Sequence, residues 1–185
     1  MGWMILLAIL VLVVLWAVSL YNGLVRRKNL VAEAWAGIEA QLKRRADLIP
    51  NLVETVKGYA AHERRTFEDL ARLRAAGQGQ SDVTARAQTE SAIGAAIGRV
   101  FAVAEAYPEL KASANFQSLQ TELADVEDQI QLARRYYNGT VRDYNVMIGQ
   151  FPSNLVANFG AFKPAPFFEI ENAAERDVPN VKYAG

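Results

Sequence analysis

Few residues in this chain are suited to chemistry, and the first to test is its one histidine. His62 and Glu63 begin like the zinc-protease motif His-Glu-x-x-His, but Thr66 stands where the second histidine ligand belongs. Zinc requires three or four protein ligands, and the chain has no cysteine to supply them. We therefore predict no zinc site here and interpret His62 as a surface residue of a charged helix.

A second candidate is a group of carboxylates in the third predicted helix, since helical bundles can hold di-iron sites through Glu and Glu-x-x-His motifs. The group comprises Glu122, Asp125, Glu127 and Asp128. These side chains fall largely off the apolar seam of that helix and no second histidine exists, so a solvated acidic face is the better interpretation. Nucleophile elbows, phosphate-binding glycine loops and dinucleotide fingerprints are also absent from the sequence. We expect no catalytic, cofactor-binding or metal-ligating residues, no cofactor and no enzymatic activity.

Two further groups leave alternatives open. The pairs Tyr137-Asn138 and Tyr144-Asn145 lie one heptad apart and so share a helical face. We favour buried tyrosines with asparagines bonded to a neighbouring helix or loop over a ligand-binding face, which would need polar groups from several elements. The block Arg44–Asn51 is either a structured kink with an Arg–Asp pair or a partner surface.

The elements that position these residues begin with an apolar segment. From Trp3 to Leu20 the only polar residue is Ser19, and every charged side chain lies at or after Arg26. About 20 apolar residues at about 1.5 Å each cross a hydrocarbon core of about 30 Å, so we predict a retained transmembrane anchor over residues 1–25. A cleaved signal peptide fits less well, because no basic region precedes the run and no Ala-x-Ala site follows it.

Charge predicts the orientation of this anchor. Arg26, Arg27 and Lys28 follow it directly, and the positive-inside rule then places the N-terminus outside and residues 26–185 in the cytoplasm of a bacterial inner membrane. Over the whole chain 20 basic side chains balance 20 acidic ones, which gives no support to a protein that binds nucleic acid by neutralising phosphates. The absence of cysteine excludes disulfides and thiolate catalysis.

Apolar residues at steps of three and four predict one amphipathic helix from Leu24 to Ala76, interrupted only at Pro50. Either a kink or a restart capped by Asp47 is expected there, and the membrane helix can run straight into this segment. A turn follows over Gly77–Asp82, with Ser81 and Asp82 as candidate caps.

A second helix is predicted over Val83–Ala106. Its Gly94 and Gly98 lie one turn apart, and they either allow another helix to approach closely or only lower the local helix propensity. Tyr107-Pro108 ends this helix, because the residue before proline disfavours helical geometry.

A third helix is predicted from near Asn115 to Phe151-Pro152. Its heptad-like apolar seam needs helical neighbours and consists of Phe116, Leu119, Leu123, Val126, Ile130, Ala133, Tyr137, Val141, Tyr144, Ile148 and Phe151. A short helix SNLVANF follows, with Ser153 as its N-cap and Gly160 in the C-terminal capping position. Residues 161–185 are predicted to be an extended segment docked on the bundle, then a loose tail.

Several sequence blocks, in order, resemble the bacterial LemA family. After the membrane span they are Trp35–Tyr59 (WAGIEAQLKRRADLIPNLVETVKGY), Tyr107–Ala112 (YPELKA), Asn115–Leu119 (NFQSL), Ala133–Asn138 (ARRYYN), Tyr144-Asn145 and Phe151–Asn154 (FPSN). One departure is Ala46, where the family more often has an aromatic residue. The resemblance implies an all-α protein in which a transmembrane helix continues into an antiparallel bundle over residues 26–160. It also implies an association with membrane organisation, including magnetosome formation, and with membrane peptidases, but no catalytic residue.

These observations lead to two functional hypotheses. The first is a non-enzymatic, membrane-anchored scaffold that self-associates through helix faces and organises membrane or partner proteins, with the lipid bilayer and its own copies as partners. The alternative is an adaptor that presents substrates or partners to a membrane-bound peptidase, through an exposed bundle groove or the phenylalanine-rich segment Phe162–Phe168.

Overall fold

The computed structural model describes residues 1–60 and 62–169, and within these ranges it contains helices and no strand. The helices are α1 (Gly2–Lys57), α2 (Arg64–Gly77), α3 (Val83–Glu105), α4 (Pro108–Lys111), α5 (Ala114–Gly149) and α6 (Ser153–Phe159). The predicted all-α class is confirmed. The tail predicted after Glu171 lies outside the described residues.

Helix α1 is continuous from the apolar segment through Pro50, so the predicted restart is wrong, and Asp47 is not a cap. Proline at position 50 leaves the carbonyl of Ala46, four residues earlier, without its helical N–H donor. Arg74 supplies the missing bond, since its Nε donates to the Ala46 oxygen at 2.7 Å. Asp47 instead contacts Lys43, with Nζ and Oδ2 3.3 Å apart. A side chain from α2 thus satisfies the carbonyl that proline leaves free in α1.

The single helix predicted from Leu24 to Ala76 is wrong in one place, because the chain leaves α1 after Lys57 and α2 begins only at Arg64. The amide of Ala60 donates to Val56 O at 2.9 Å, which closes the turn, and Ala60 is fully buried. The break allows Phe67 and Leu70 of α2 to join the same core as Val56. Burial in a shared core therefore overrides the local preference for helix.

The described chain divides into two compact units. Unit 1 comprises Met1–Ala40 and Ile130–Phe167, and unit 2 comprises Gln41–Gln129 with Phe168 and Glu169. The core of unit 2 is a cluster of apolar side chains from α1 to α5 and the turn after α1: Ile49, Leu52, Val56, Ala60, Phe67, Leu70, Ile93, Ala96, Ile97, Val100, Ala104, Leu110, Phe116 and Leu123. The predicted division at residues 25 and 160 stays a prediction.

In unit 1, α1 and α5 run antiparallel. Trp35 contacts Tyr137 with ring centroids 5.5 Å apart, and Arg27 Nη1 lies 3.5 Å from Asp143 Oδ2. The later residue of α1 therefore contacts the earlier residue of α5, as an antiparallel pair requires. The predicted seam of α5 is largely confirmed: its buried members are Phe116, Leu123, Val126, Ile130, Tyr137, Val141 and Tyr144. Phe151, the last member of the predicted seam, is instead exposed.

Helix α3 agrees with its predicted limits, and the side chain of Asp82 caps it by accepting from the Ala85 amide at 2.7 Å. Its glycines do not bring a second helix close within the described chain. A Cβ added at Gly98 would have no neighbour within 4 Å, and one at Gly94 would meet only the Arg45 side chain, at 3.8 Å. The close-approach hypothesis is therefore wrong for contacts within this part of the chain.

The caps of α6 differ in part from the prediction. Pro152 occupies the N-cap, and Ser153 is the first helical residue. The Ser153 hydroxyl lies within hydrogen-bonding distance of two carbonyl oxygens near the end of α5, Met147 O at 2.6 Å and Gln150 O at 2.9 Å. It therefore ties α6 to α5 instead of capping α6, whereas Gly160 is the C-cap as predicted.

Candidate functional site

The buried charge of unit 2 is centred on Arg45 of α1, which is 3% exposed. Its Nη2 lies 2.5 Å from Glu90 Oε2 on α3 and also donates to the Glu90 carbonyl oxygen at 3.1 Å. Its Nη1 donates to Glu127 Oε2 on α5 at 2.7 Å. Arg86 lies on the other side of Glu90, with Nε 2.8 Å from Oε1. One guanidinium thus links three helices.

This arrangement is suited to holding helices together and poorly suited to catalysis. Glu90 is also 3% exposed, and each of its carboxylate oxygens lies against an arginine, so neither is open to a substrate proton. The predicted Arg–Asp pair within the block Arg44–Asn51 is wrong, because Asp47 pairs with Lys43, and Arg45 pairs with Glu90 and Glu127. Glu127, predicted to be solvated, is half-buried against Arg45.

Sequence reasoning missed Glu90, although one signal for it was present. Arg86 and Glu90 lie four residues apart on α3, on the same face as the apolar residues Ile93 and Ile97. A charged pair on an apolar face indicates a buried ion pair, because an unpaired charge would be costly there.

A second polar cluster, in unit 1, holds the extended segment that follows α6. The amide side chain of Asn145 bonds to the backbone of Ala165 twice: Nδ2 donates to the carbonyl at 2.9 Å, and Oδ1 accepts from the N–H at 2.8 Å. The Tyr137 hydroxyl donates to the next carbonyl, Pro166 O, at 2.9 Å. The first interpretation of the Tyr-Asn pairs, buried tyrosines with an asparagine bonded to a loop, agrees with this geometry.

Tyr137 is buried in the interior of unit 1 and also bonds to the extended segment through its hydroxyl. Its side chain is 2% exposed, and its ring packs on Trp35. Burial disfavours the phenolate and raises the pKa of Tyr137 above its ordinary value. The hydroxyl therefore stays protonated at neutral pH and serves as a hydrogen-bond donor.

The other residues considered for chemistry remain apart. His62 and Glu63 are exposed in the connection between α1 and α2, and Asp125 and Asp128 are exposed on α5. Within residues 1–60 and 62–169, His, Cys, Asp and Glu side chains form no group of three or more that could hold a metal ion.

An apolar groove of unit 1 lies where the apolar segment of α1 meets α6. It is lined by Ala17, Val18 and Tyr21 from α1 and by Leu155, Val156 and Phe159 from α6. Tyr21 also meets Phe162 edge to face, with ring centroids 5.5 Å apart. A Cβ added at Gly160 would lie 2.6 Å from Phe162 Cε2, so only glycine permits the chain to approach these rings so closely.

The helical fold and the exposed apolar stretch of α1 together define the class of protein. Helix α1 contains a stretch that is long and apolar enough to cross a membrane. The rest of the described chain does not bury this stretch. This is a membrane-associated, all-α protein. The chain belongs to the LemA family, whose model matches residues 34–183.

The chain is similar to magnetosome proteins, among others. It is 26% identical over 184 residues to the magnetosome protein MamQ 2 of Paramagnetospirillum magneticum, covering 85% of this chain and 68% of that protein. Identity to the magnetosome protein MamQ of Magnetospirillum gryphiswaldense is 25% with the same coverage. The protein LemA of Metamycoplasma hominis is 30% identical over 137 residues, which cover 74% of this chain and 63% of that protein.

Proposed function

We propose that the protein is a non-enzymatic scaffold, anchored in the bacterial inner membrane by the start of α1, that self-associates and organises membrane or partner proteins. Its N-terminus lies outside and the rest of the chain in the cytoplasm, following the basic residues Arg26, Arg27 and Lys28. The relatives named as magnetosome proteins, together with the apolar segment of α1, support a role at a membrane.

The observation that carries self-association is a pair of large apolar side chains exposed on α5, outside the anchor. Leu132 is 50% exposed and Tyr136 is 57% exposed, and the two lie one turn apart on the same face. Contiguous apolar side chains on an otherwise charged helix are typical of a contact with another protein. A second copy of the chain offers the same pair, as a two-fold interface requires.

The polar clusters support a structural role over an enzymatic one. Arg45, Glu90 and Glu127 are engaged with one another, and Tyr137 and Asn145 are bonded to the backbone of the extended segment. Acid–base or metal chemistry needs polar groups that converge on an open cavity. The groove at α6 is lined by apolar residues and one tyrosine, so it lacks such groups.

The adaptor hypothesis has less support. It needs the rings of Phe162–Phe168 to be open to a partner, but Phe162 packs on Tyr21 and Phe168 is fully buried. Phe167, at 40% exposure, is the one ring of this segment available for such a contact. Crosslinking from position 167 to a membrane peptidase would favour the adaptor.

The scaffold is tested by measuring the mass of the full-length protein in mild detergent by light scattering. The wild-type chain is expected to form a defined oligomer. The double variant Leu132→Glu, Tyr136→Glu is expected to dissociate to monomers, because it places like charges at the apolar contact.

Gln120→Glu is the control, since it adds a negative charge at an exposed position of the same helix, about three turns before Leu132 and off the face of Leu132 and Tyr136, and it is expected to keep the oligomer. Circular dichroism of each variant confirms that the helices are intact. A wild-type protein that is strictly monomeric in detergent and that does not crosslink to itself in cells would contradict the proposal.

A further inference from the structure

Helix α6 has an apolar face that the rest of the described chain does not cover. Leu155 is 61% exposed and Phe159, one turn later, is 94% exposed, while Phe151 just before the helix is 74% exposed. Three large apolar side chains presented to water on one short segment are unfavourable, and burying each would stabilise the molecule. Something of apolar character must therefore cover this face.

The position of α6 along α1 indicates what covers it. If Trp3 marks one edge of the hydrocarbon core, as interfacial tryptophans do, a core of about 30 Å at about 1.5 Å per residue ends near Asn22. Ala17, Val18 and Tyr21, which share the groove with α6, lie on the membrane side of that boundary. Helix α6 is consequently held beside the last turns of the membrane-spanning segment.

Charge along the chain marks the same boundary a second time. No charged residue occurs from Tyr144 through Phe162, although charged residues make up 22% of the chain. This uncharged stretch contains the end of α5 and all of α6, and it is flanked by Asp143 and Lys163. Asp143 contacts Arg27, so the last charge of α5 lies at the level of the first charges of α1. On the membrane side of this level, neither α1 nor α5 carries a charged side chain.

We propose that α6 is a second membrane contact: its face of Leu155 and Phe159, with Phe151, inserts into the interfacial layer of the bilayer beside the anchor. The partner is the lipid surface itself, with Arg26, Lys28 and Lys163 at the level of anionic headgroups. The inference rests on the proposed membrane anchoring of α1 and adds to it a site that would fix the depth and tilt of unit 1.

The test uses nitroxide spin labels, which are specific here because the native chain has no cysteine. Full-length variants Leu155→Cys and Phe159→Cys are labelled and reconstituted into vesicles of phosphatidylethanolamine and phosphatidylglycerol. Relaxation by oxygen, which concentrates in lipid, is compared with relaxation by a water-soluble nickel chelate. Both positions are exposed in the structure, so the label displaces no core side chain.

Two matched positions provide the scale. Val13→Cys lies within the apolar segment and reports the lipid value, whereas Glu39→Cys is exposed on α1, beyond the basic residues, and reports the aqueous value. Labels at 155 and 159 are expected to give values between that of Val13, near the bilayer centre, and that of Glu39, with relaxation by oxygen greater than relaxation by the nickel chelate. Relaxation by the nickel chelate at the level of Glu39 would overturn the proposal.

The remaining outcomes are also decisive. Dipolar broadening between labels at position 159, together with low relaxation by both oxygen and the nickel chelate, would show that a second copy covers α6, and would reject the lipid contact. An aqueous value at Val13 would mean that the anchor itself lies outside the bilayer. That result would contradict the proposed function, and so it differs from a failure confined to α6.

Discussion

Single polar residues of this chain act by joining segments that are distant in sequence. Arg45 contacts carboxylates on two other helices, and Asn145 binds a backbone 20 residues away. Periodicity predicted that Tyr137 and Tyr144 are buried, because a helix face can be derived from spacing alone. The partners of Arg45 could not be derived in that way, because they depend on which helices meet.

Replacing Arg45 by alanine is expected to lower the free energy of unfolding by about 3–5 kcal/mol, because Glu90 would be left as a buried charge without its main partner. The measurement is the urea midpoint followed by circular dichroism in mild detergent. Arg44→Ala removes the same side chain at an exposed neighbouring position and should leave the midpoint nearly unchanged. Equal effects of the two changes would refute a structural role for the buried pair.

Stability is also expected to fall at alkaline pH because of Tyr137. Its folded-state pKa is raised by burial, so the unfolded chain loses this proton first as the pH rises past about 10. The contribution is thus fully present below that pH and is lost above it. Urea midpoints compared between about pH 9 and about pH 11 should fall less for Tyr137→Phe than for the exposed control Tyr136→Phe. Equal slopes would argue against this assignment.

At the level of elements, the helix limits that were predicted correctly are those marked by a local sequence signal such as a capping residue or a proline. Helix α3 begins where Asp82 can cap it, and it ends before Pro108 as the sequence predicts. The break after Lys57 carries no proline, but Gly58 follows directly and lowers the helix propensity there. The joint burial of Ala60, Phe67 and Leu70 depends on how α1 and α2 meet, so the sequence pattern alone does not indicate it.

The uninterrupted passage of α1 through Pro50 can be tested by a double-mutant cycle. Arg74→Ala is expected to cost about 1–3 kcal/mol in the wild-type chain, because the Ala46 carbonyl then lacks a donor. In the Pro50→Ala background the same change should cost less, since the new N–H at position 50 can bond to that carbonyl. Identical costs in both backgrounds would show that Arg74 does not compensate for the proline.

Two glycines should respond in opposite ways to alanine. Gly160→Ala places a methyl group against Phe162 and Tyr21 and is expected to destabilise unit 1 by about 1–3 kcal/mol. Gly98→Ala adds a methyl group in open space inside α3 and is expected to raise stability by about 0.5–1 kcal/mol. Thermal unfolding measures both. Destabilisation by Gly98→Ala would indicate that another chain approaches α3 at this point.

At the level of the whole molecule, composition predicts a membrane anchor, whereas the predicted orientation rests on one basic cluster. A C-terminal reporter is expected to be cytoplasmic, and replacing Arg26, Arg27 and Lys28 by glutamine should move a large fraction of it to the opposite side. Arg64→Gln with Arg65→Gln removes charges far from the anchor and should leave the reporter in place. A cytoplasmic reporter in all three proteins would show that this cluster does not set the orientation.

The tripeptide Pro164-Ala165-Pro166 has one further consequence. Prolines carry no backbone N–H, and the single amide of this tripeptide, at Ala165, already donates to Asn145. The carbonyls of Ala165 and Pro166 are also bonded, to Asn145 and Tyr137. An extended strand with free amides invites pairing with another chain and the growth of intermolecular sheets. This stretch presents no free donor, so an extended conformation is kept without an edge that could seed aggregation.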